Sequence, residues 1–387
     1  MGPGRRGFIE NIVNMTKILI ITSRTGGGHM NLAQSLKDML GAGFSVDIVD
    51  PFPDIVDQYY ALLSRSFLKL WDLQYRYTDN RPASLWLHRG LTLLGQKRLI
   101  SLIQQTSPQL IISTHALLSY ALARANQQTG MHIPLVFQLT DLECVHTTWF
   151  SEKCADAYLT PTREIFSQAL AQGIEQSRLH VTGRPVRKQF LQTYGIASRV
   201  ETLASMQLSP DAFTIFLQGG AKGSARIERT MHSIFAAGSP EAPIQIILAA
   251  GNNSAIMTRF SNIPNLRVLP FSGTIAPYMA ASDLIVGKAG ASFLTEAIML
   301  EKPFLITTYI PGQEGPTLRF LERYNLGWTC LDAGKQQQLL TGILRNPDLI
   351  AEKVSSIQSY KAWNISANAG ISSLIDGLVS YQNSLEA

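Results

Sequence analysis

Short apolar runs alternate with stretches of helical periodicity along most of the chain, and this alternation restricts the fold more than any other feature. In the first half the runs lie at 17–22, 44–50, 110–114, 135–140 and 157–161. Strands this short and apolar, separated by helices, are typical of a parallel sheet that is buried on both faces. The first half of the chain is therefore predicted to be a doubly wound α/β domain.

The same alternation restarts in the second half of the chain. Its apolar runs lie at 214–220, 244–251, 266–270, 283–287 and 303–307. Two such series predict two Rossmann-like domains, 15–195 and 205–387, with the boundary in the polar stretch near 190–210. The last thirty or so residues have a helical pattern, and these final helices are candidates to pack back on the first domain.

Composition agrees with two packed cores and leaves the partner open. The chain has 387 residues, of which 45% are hydrophobic, and its net charge of +5 suits an anionic substrate, an anionic membrane or nucleic acid. Cys144, Cys154 and Cys330 lack C-x-x-C spacing and are interpreted as reduced thiols of a cytoplasmic protein. No apolar run approaches the ~20 residues that a membrane span needs.

Two strands are predicted to end in glycine turns that lead into helices. The first is G-G-G at 26–28, followed by His29, and the second is Q-G-G-A-K-G-S at 218–224. Free backbone N–H groups beside a helix N-terminus favour phosphate, although a tight turn without a ligand is the alternative. Neither turn matches the P-loop or the G-x-G-x-x-G pattern, which disfavours ATPases and dehydrogenases.

Polar residues also follow two later strands. Glu296 lies among apolar neighbours in a predicted helix, where a carboxylate needs a partner such as a ribose diol, unless it lies on the wet face. Gln313 and Glu314 lie in the loop Y-I-P-G-Q-E-G-P at 309–316, directly after a strand. Polar residues at the carboxyl end of a strand in an open α/β sheet favour ligand binding.

The motifs G-G-G-H, T-D-L-x-x-x-H-x-x-W-F, G-R-P-V-R, G-G-A-K-G, G-K-A-G-A-S-F-L-T-E-A, K-P and P-G-Q-E occur in this order. In that order the chain resembles glycosyltransferase family 28 over about 17–330, with most likeness to monogalactosyldiacylglycerol synthases and bacterial diacylglycerol glucosyltransferases. The resemblance implies a GT-B fold, two Rossmann-like domains with an interdomain cleft. It also implies inverting, metal-independent transfer from a UDP-sugar.

The resemblance assigns the donor site to the second domain. It implies that the diphosphate is bound at the second glycine turn, the ribose by Glu296, the sugar hydroxyls by Gln313 and Glu314, and the uracil region near Arg187. The remaining positions that it implies for donor binding are Gly219, Gly220, Ala221, Lys222, Phe271, Gly290 and Ala291. The chain departs from the family pattern at Thr317, where the family usually has Asn, so galactose and glucose both stay open as the transferred sugar.

Two residues are candidates for the general base in the first domain. His29 is ranked first, because a free imidazole near pH 7 can accept the proton of an alcohol, or as imidazolium stabilise the leaving diphosphate. Asp141, just past a strand end, is ranked second. Gly27 and Gly28 would let the backbone approach the ligand, and His146 and Trp149 would line the same face as Asp141. A His29 ring that merely points into solvent is the alternative.

The acceptor is expected to bind at 57–98, where aromatic and basic residues are interleaved. Arg65, Lys69 and Trp71 represent this mixture, which suits the headgroup boundary of an anionic membrane. A helical insertion packed on its own domain is the alternative. Binding of single-stranded nucleic acid has no further support and is set aside.

Together these observations predict a peripheral enzyme on the cytoplasmic face of a membrane. It would transfer a hexose from UDP-galactose or UDP-glucose to diacylglycerol, form a β-glycolipid, and need no metal or other cofactor. The alternatives are a UDP-sugar epimerase on the same scaffold, a transferase for another lipid-linked acceptor, and a catalytically silent membrane-binding module.

Overall fold

The structure is a computed structural model that describes residues 15–25, 27–218 and 227–386. The predicted diphosphate-binding residues Gly219, Gly220, Ala221 and Lys222 lie outside the described residues. The chain divides into two compact units. The first contains the residues up to Tyr59, Gln74–Arg187 and the residues from Ser366 onward, and the second contains Tyr60–Leu73 and Lys188–Ile365.

The first unit is built on a parallel sheet of six strands in the order β2-β1-β3-β4-β5-β6. The strands are β1 (Thr16–Ile21), β2 (Phe44–Val49), β3 (Leu110–Ser113), β4 (Leu135–Gln138), β5 (Ala157–Thr160) and β6 (Leu179–Val181). From β1 the chain first adds β2 on one side and then β3 on the other. The point where the direction reverses lies between β1 and β3, and ligands bind in such open sheets beside the carboxyl ends of these two strands.

Both faces of this sheet are covered by helices. One face packs on α1 (Gly28–Leu40) and on the C-terminal helix, whose Ile371, Ile375 and Val379 are buried with Ile18 and Ile20 of β1. The other face packs on further helices of the same unit. This double burial explains why the strands are continuous apolar runs rather than alternating ones.

Three helices follow β2 before the sheet resumes. They are α2 (Asp54–Ser66), α3 (Leu68–Thr78) and α4 (Arg81–Thr106). The side chain of Asn80 caps α4 by accepting the N–H of Ala83 at 3.0 Å, and a proline in the first turn fits the helix start. Leu99 and Ile103 of α4 are buried in the core of the first unit, beside α5 (Ser119–Thr129). α6 (Arg163–Ala171) completes the helices of this part of the chain.

The second unit contains a parallel sheet of six strands in the order β12-β11-β10-β7-β8-β9. The strands are β7 (Phe213–Gln218), β8 (Ile244–Gly251), β9 (Leu266–Pro270), β10 (Leu284–Lys288), β11 (Phe304–Thr308) and β12 (Gly327–Thr329). Here the direction reverses between β7 and β10. At that point a Cβ atom on Gly287 would lie 2.3 Å from the carbonyl oxygen of Gln218, so only glycine fits this close approach.

The helices of the second unit follow its strands in the usual alternation. They are α7 (Ile196–Ser205), α8 (Ile227–Phe235), α9 (Ser254–Phe260), α10 (Ala276–Ala280), α11 (Ala291–Met299), α12 (Gly315–Arg323), α13 (Ala333–Arg345) and α14 (Asp348–Asn368), before the C-terminal α15 (Ile371–Glu386). Arg199 of α7 donates to both carboxylate oxygens of Asp283 at 3.0 Å, and Asp283 accepts the N–H of Thr214 at 2.7 Å. This pair fixes α7 to the start of β7 and β10.

The prediction of two doubly wound parallel sheets is confirmed. The sequence did not indicate β6 and β12, because each is a three-residue strand at a sheet edge and too short to produce a pattern. Residues 60–73 group with the second unit, although their place in the chain falls within the first predicted domain. None of the helices in the described part of the chain is both long and apolar enough to cross a bilayer.

Candidate active site

The carboxyl edge of the first sheet brings together polar residues from distant parts of the sequence. Four loops begin there, after β1, β3, β4 and β6. They carry His29, His115, Asp141 and Arg184, respectively. Because parallel strands all end at one edge, these residues form a single polar cluster on the first unit.

His29 lies in the first turn of α1, where the turn after β1 becomes helical. Gly27 precedes it with φ 81, a left-handed conformation that glycine adopts without strain. The Nδ1 atom of His29 lies 2.7 Å from the carbonyl oxygen of Thr114, directly after β3. A carbonyl oxygen only accepts, so Nδ1 carries the proton and a neutral ring has its lone pair on Nε2.

The surroundings of His29 favour this neutral ring. The pKa of His29 is lowered to about 4: desolvation of this half-buried residue is the main cause, the hydrogen bond to Thr114 opposes the shift, and the positive charge of Arg184 adds to it. At neutral pH the ring can therefore accept a proton at Nε2, as a general base must.

Asp141 stands three residues past the end of β4 and is half-buried. The loop that carries it is fixed by Arg184, whose buried guanidinium donates to the carbonyl oxygen of Thr140 at 2.7 Å. Asp141 also contributes, after burial, to the raised pKa of Tyr75, which places a negative charge near that phenol. Asp141 is thus positioned at the same sheet edge as His29.

His146 and Trp149 have structural roles in the first unit. The Nδ1 atom of His146 accepts the N–H of Thr148 at 3.2 Å and caps the 3₁₀ turn Thr147–Phe150, while Nε2 donates to the carbonyl oxygen of Tyr75 at 3.1 Å. Trp149 is buried in the core of the first unit. His146 thus caps a turn and Trp149 is part of the core, and the expectation that both line the same ligand-binding face as Asp141 stays a prediction.

The second unit presents its own polar loops at the reversal between β7 and β10. Gly290 and Ala291 begin α11, and a Cβ atom on Gly290 would have no neighbour closer than Glu314 Oε1 at 3.9 Å. Glu296 is buried in the second turn of this helix, with 4% of its surface exposed. The start of α11 thus leaves space beside Gly290, and the buried carboxylate follows in the next turn.

Gln313 and Glu314 end the loop after β11. Glu314 is buried, its Oε1 forms an ion pair with Lys288, and its Oε2 accepts the N–H of Ile310 at 2.8 Å. The side-chain oxygen of Gln313 lies 3.4 Å from the hydroxyl of Tyr60, a residue of α2 that belongs to the same unit. Gln313 therefore lies where α2 approaches the loop, while Glu314 holds the loop to β10.

Phe271 is exposed in the loop after β9. Gln189 fixes this loop, because its amide donates to the carbonyl oxygen of Gly273 at 2.6 Å and its Oε1 accepts the N–H groups of Ile275 and Ala276 at 3.0 Å. Arg187 is half-buried and is the last residue that clusters with the first unit before the chain enters the second.

The residues proposed for the acceptor side lie on α2 and α3. Arg65 is part of α2, Lys69 of α3 is exposed, and Trp71 packs edge-on against Tyr60 with ring centroids 5.2 Å apart. Among residues 15–25, 27–218 and 227–386, no three His, Cys, Asp or Glu side chains are grouped as metal ligands.

Four residues of these clusters were not indicated by the sequence: Thr114, His115, Arg184 and Lys288. Each ends a strand or lies within three residues of a strand's carboxyl end, which is the signal that could have identified them. In the sequence this signal is shared by ordinary loop residues, so it does not single them out.

Two family profiles match the chain. Residues 29–186 match "Monogalactosyldiacylglycerol (MGDG) synthase", and residues 214–315 match "Glycosyltransferase family 28 C-terminal domain". The chain belongs to the monogalactosyldiacylglycerol synthase family, with a family 28 C-terminal domain. The resemblance in the motifs is thereby confirmed.

Plant members of this family are distant relatives. The probable monogalactosyldiacylglycerol synthase 2, chloroplastic, of Oryza sativa subsp. japonica is 27% identical over 327 residues, which covers 77% of this chain and 67% of the relative. Monogalactosyldiacylglycerol synthase 1, chloroplastic, of Arabidopsis thaliana is 26% identical over 330 residues, with 80% and 61% covered.

Solved structures agree on the fold. The calicheamicin glycosyltransferase aligns with a TM-score of 0.63 at 10% identity, over 95% of this chain and 99% of that chain. Anabaena HepE in complex with UDP-glucose aligns with a TM-score of 0.58 at 14% identity, over 93% and 99%. Family membership and these neighbours identify the fold as the two-domain GT-B type.

Proposed function

We propose that this protein is an inverting glycosyltransferase that moves galactose or glucose from a UDP-hexose to diacylglycerol. The observation that carries the proposal is the hydrogen bond from Nδ1 of His29 to the Thr114 carbonyl oxygen at the carboxyl edge of the first sheet, within a chain of the monogalactosyldiacylglycerol synthase family. The names of the plant relatives support a diacylglycerol acceptor, and the UDP-glucose complex of HepE supports a UDP-sugar donor.

In the proposed reaction, the acceptor hydroxyl gives its proton to Nε2 of His29. The hydroxyl oxygen forms a bond to the anomeric carbon from the face opposite the diphosphate, and the bond from that carbon to the diphosphate oxygen breaks. UDP leaves with the electron pair, and an α-linked donor gives a β-linked glycolipid. Asp141 is the second candidate for the base, because it lies at the same sheet edge.

The donor is proposed to bind to the second unit. Glu296 would accept hydrogen bonds from the ribose hydroxyls, Gln313 would contact the sugar, and the start of α11 at Gly290 and Ala291 would face the phosphates. Lys288 and Glu314 would hold the loop in place. Backbone N–H groups at the start of α11 are proposed to neutralise the diphosphate.

The acceptor side is proposed to lie on a membrane surface. Nine large apolar side chains between 55 and 93 are exposed: Ile55, Tyr59, Leu62, Phe67, Leu70, Leu73, Tyr77, Trp86 and Leu93. Lys69 and Arg76 are exposed on α3 in the same stretch. Apolar and basic side chains together suit peripheral binding to an anionic bilayer, from which diacylglycerol would be drawn. A UDP-sugar epimerase, the second candidate, would not need such helices.

The direct test supplies the purified chain with radiolabelled UDP-galactose or UDP-glucose and anionic vesicles that contain diacylglycerol. Appearance of label in a β-glycosyldiacylglycerol, with the same rate in EDTA, is expected. Transfer that stops in EDTA and returns with Mg²⁺ would contradict the metal-independent mechanism. Conversion of UDP-N-acetylglucosamine without any acceptor, and no lipid product from either hexose donor, would favour the epimerase.

A further inference from the structure

A second histidine ring lies against His29. The rings of His29 and His115 have centroids 4.5 Å apart and planes at 60° to each other, so that one ring meets the other edge-on. His115 comes two residues after β3, and its neighbour Thr114 is the residue whose carbonyl oxygen accepts from His29. The two contacts of His29 thus come from adjacent residues of one strand end.

His115 is itself fixed on two sides. Its Nε2 atom lies 3.3 Å from the hydroxyl of Thr25, a buried residue in the turn after β1. Phe52 packs edge-on against the other side of the ring, with centroids 5.8 Å apart. His115 therefore links the turn after β1 to the end of β3, the two strands between which the sheet order reverses.

The nitrogen on the other side of the ring has no such partner. Among the described residues, Nδ1 of His115 is buried without a hydrogen bond. A phenyl ring would fill the same space without burying a polar nitrogen, so packing alone does not account for an imidazole here. An unsatisfied buried atom beside a base points to a role in the function of that base.

We propose that His115 is a positioning residue for His29: its ring, anchored by Thr25, holds the His29 imidazole against the Thr114 carbonyl and excludes water from it. The inference rests on the proposed function, in which His29 is the base. His115 does not touch the reacting atoms. It fixes the rotamer and the protonation state of His29, which does.

The charges around the pair agree with this role. His29 faces His115 and Arg184, and His115 faces His29 and His88. Burial is the main cause of the lowered pKa of both rings. Arg184 adds to the shift at His29, against the opposing bond to Thr114, and His29 and His88 in their protonated forms add to the shift at His115. Removing the His115 ring would admit water beside His29, reduce its desolvation, and raise its pKa toward the ordinary value of about 6.5.

The test compares the full-length wild-type chain with His115→Ala and His115→Phe, the second of which keeps the ring. NMR titration of labelled histidine reads the His29 pKa without any substrate. His115→Ala should raise the pKa of His29 by at least about one unit and lower kcat about 10–100-fold, with the KM for UDP-hexose little changed. His115→Phe keeps a ring against His29 but loses the bond to Thr25, so it should keep most of the lowering of the His29 pKa and lower kcat about 3–10-fold.

Failure would be unambiguous. An unchanged His29 titration and kcat in His115→Ala would overturn the proposal, and so would a His115→Phe variant that is folded but as inactive as His115→Ala. If His115→Ala does not fold, Thr25→Val serves as the second variant, since it removes only the hydroxyl that anchors His115. It should lower kcat about 3–10-fold. An unchanged kcat in Thr25→Val would contradict the proposal that Thr25 anchors the ring. A shifted titration in a chain that transfers no sugar would contradict the proposed function alone.

Discussion

The carboxylate of Glu314 is held by two groups: Lys288 forms an ion pair with Oε1, and the N–H of Ile310 donates to Oε2 at 2.8 Å. Lys288 ends β10 and Glu314 ends the loop after β11, so the pair joins two neighbouring strand ends. Both oxygens of Glu314 already accept from protein groups. We therefore expect Glu314 to hold the loop that presents Gln313, rather than to act first on the sugar.

Glu314→Gln should lower the free energy of unfolding by about 1–3 kcal/mol, because the partly buried ammonium of Lys288 loses its partner. The double variant Lys288→Met/Glu314→Gln should recover part of this loss, since no unpaired charge is left. Urea unfolding of Glu314→Gln, Lys288→Met and the double variant measures the coupling free energy between the two side chains. Wild-type stability together with a loss of kcat would instead indicate direct contact of Glu314 with the sugar.

Glu296→Gln should weaken UDP binding about 10–100-fold, because hydrogen bonds to a charged group contribute about 1.5–3 kcal/mol. Glu322→Gln is the matched control, since Glu322 is an exposed carboxylate on α12 of the same unit. Calorimetric titration with UDP measures both variants. Unchanged affinity in the Glu296 variant would remove the ribose assignment.

His29→Ala should lower kcat about 10²–10⁴-fold and leave UDP binding nearly unchanged. The base must be neutral, and burial holds the pKa of His29 at about 4, so activity should persist from neutral pH down to about pH 5 and fall as the pH passes through 4. Asp141→Asn is the companion variant. If that variant is the more damaging and alone removes the acidic limb of the pH–rate profile, the base is Asp141.

His88 should make the protein sensitive to acid. It is buried in α4, neither ring nitrogen has a hydrogen bond among the described residues, and burial, followed by the charge of His146, lowers its pKa to about 4. The unfolded chain binds the proton near pH 6.5, so stability is full above that pH and falls as the pH drops from 6.5 toward 4, by about 3 kcal/mol at most.

Replacing His88 with leucine should raise stability at pH 5, because leucine takes up no proton on unfolding. The dependence of stability on pH should become weaker but not disappear, since the remaining buried histidines still titrate. His232→Gln, at an exposed position on α8, is the control. Chemical unfolding at pH 5 and pH 7.5 gives the comparison. The same pH dependence in His88→Leu as in the wild type would contradict the assignment.

Membrane binding should depend on the basic residues of α3. Lys69→Glu/Arg76→Glu should weaken binding to anionic vesicles by about 1 kcal/mol or more for each residue that lies near the surface. Arg345→Glu, exposed at the end of α13, is the matched control. Vesicle sedimentation measures binding. Activity on a short-chain, detergent-dispersed acceptor should fall much less, and an equal loss on both acceptors would assign α3 a structural role.

Part of the candidate site could be predicted from the sequence, because a residue that follows a predicted strand is expected at the carboxyl edge of the sheet. His29, Asp141 and Gln313 each follow an apolar run, and parallel strands place such residues at one edge of their sheet. His146 and Trp149 lie in the same motif as Asp141, yet one caps a turn and the other is core. Motif spacing cannot separate these roles, since they depend on which side of the loop faces the protein.

The amino-acid sequence by itself determined the two parallel sheets, because each strand is a local apolar run and burial on both faces needs no other information. It also determined the family, through the order of its motifs. Only the tertiary structure decided the surroundings of His29. The ring contacts a carbonyl 85 residues away at Thr114 and the ring of His115, and burial lowers its pKa. Desolvation is a property of the packed cluster, and no short stretch of sequence contains it.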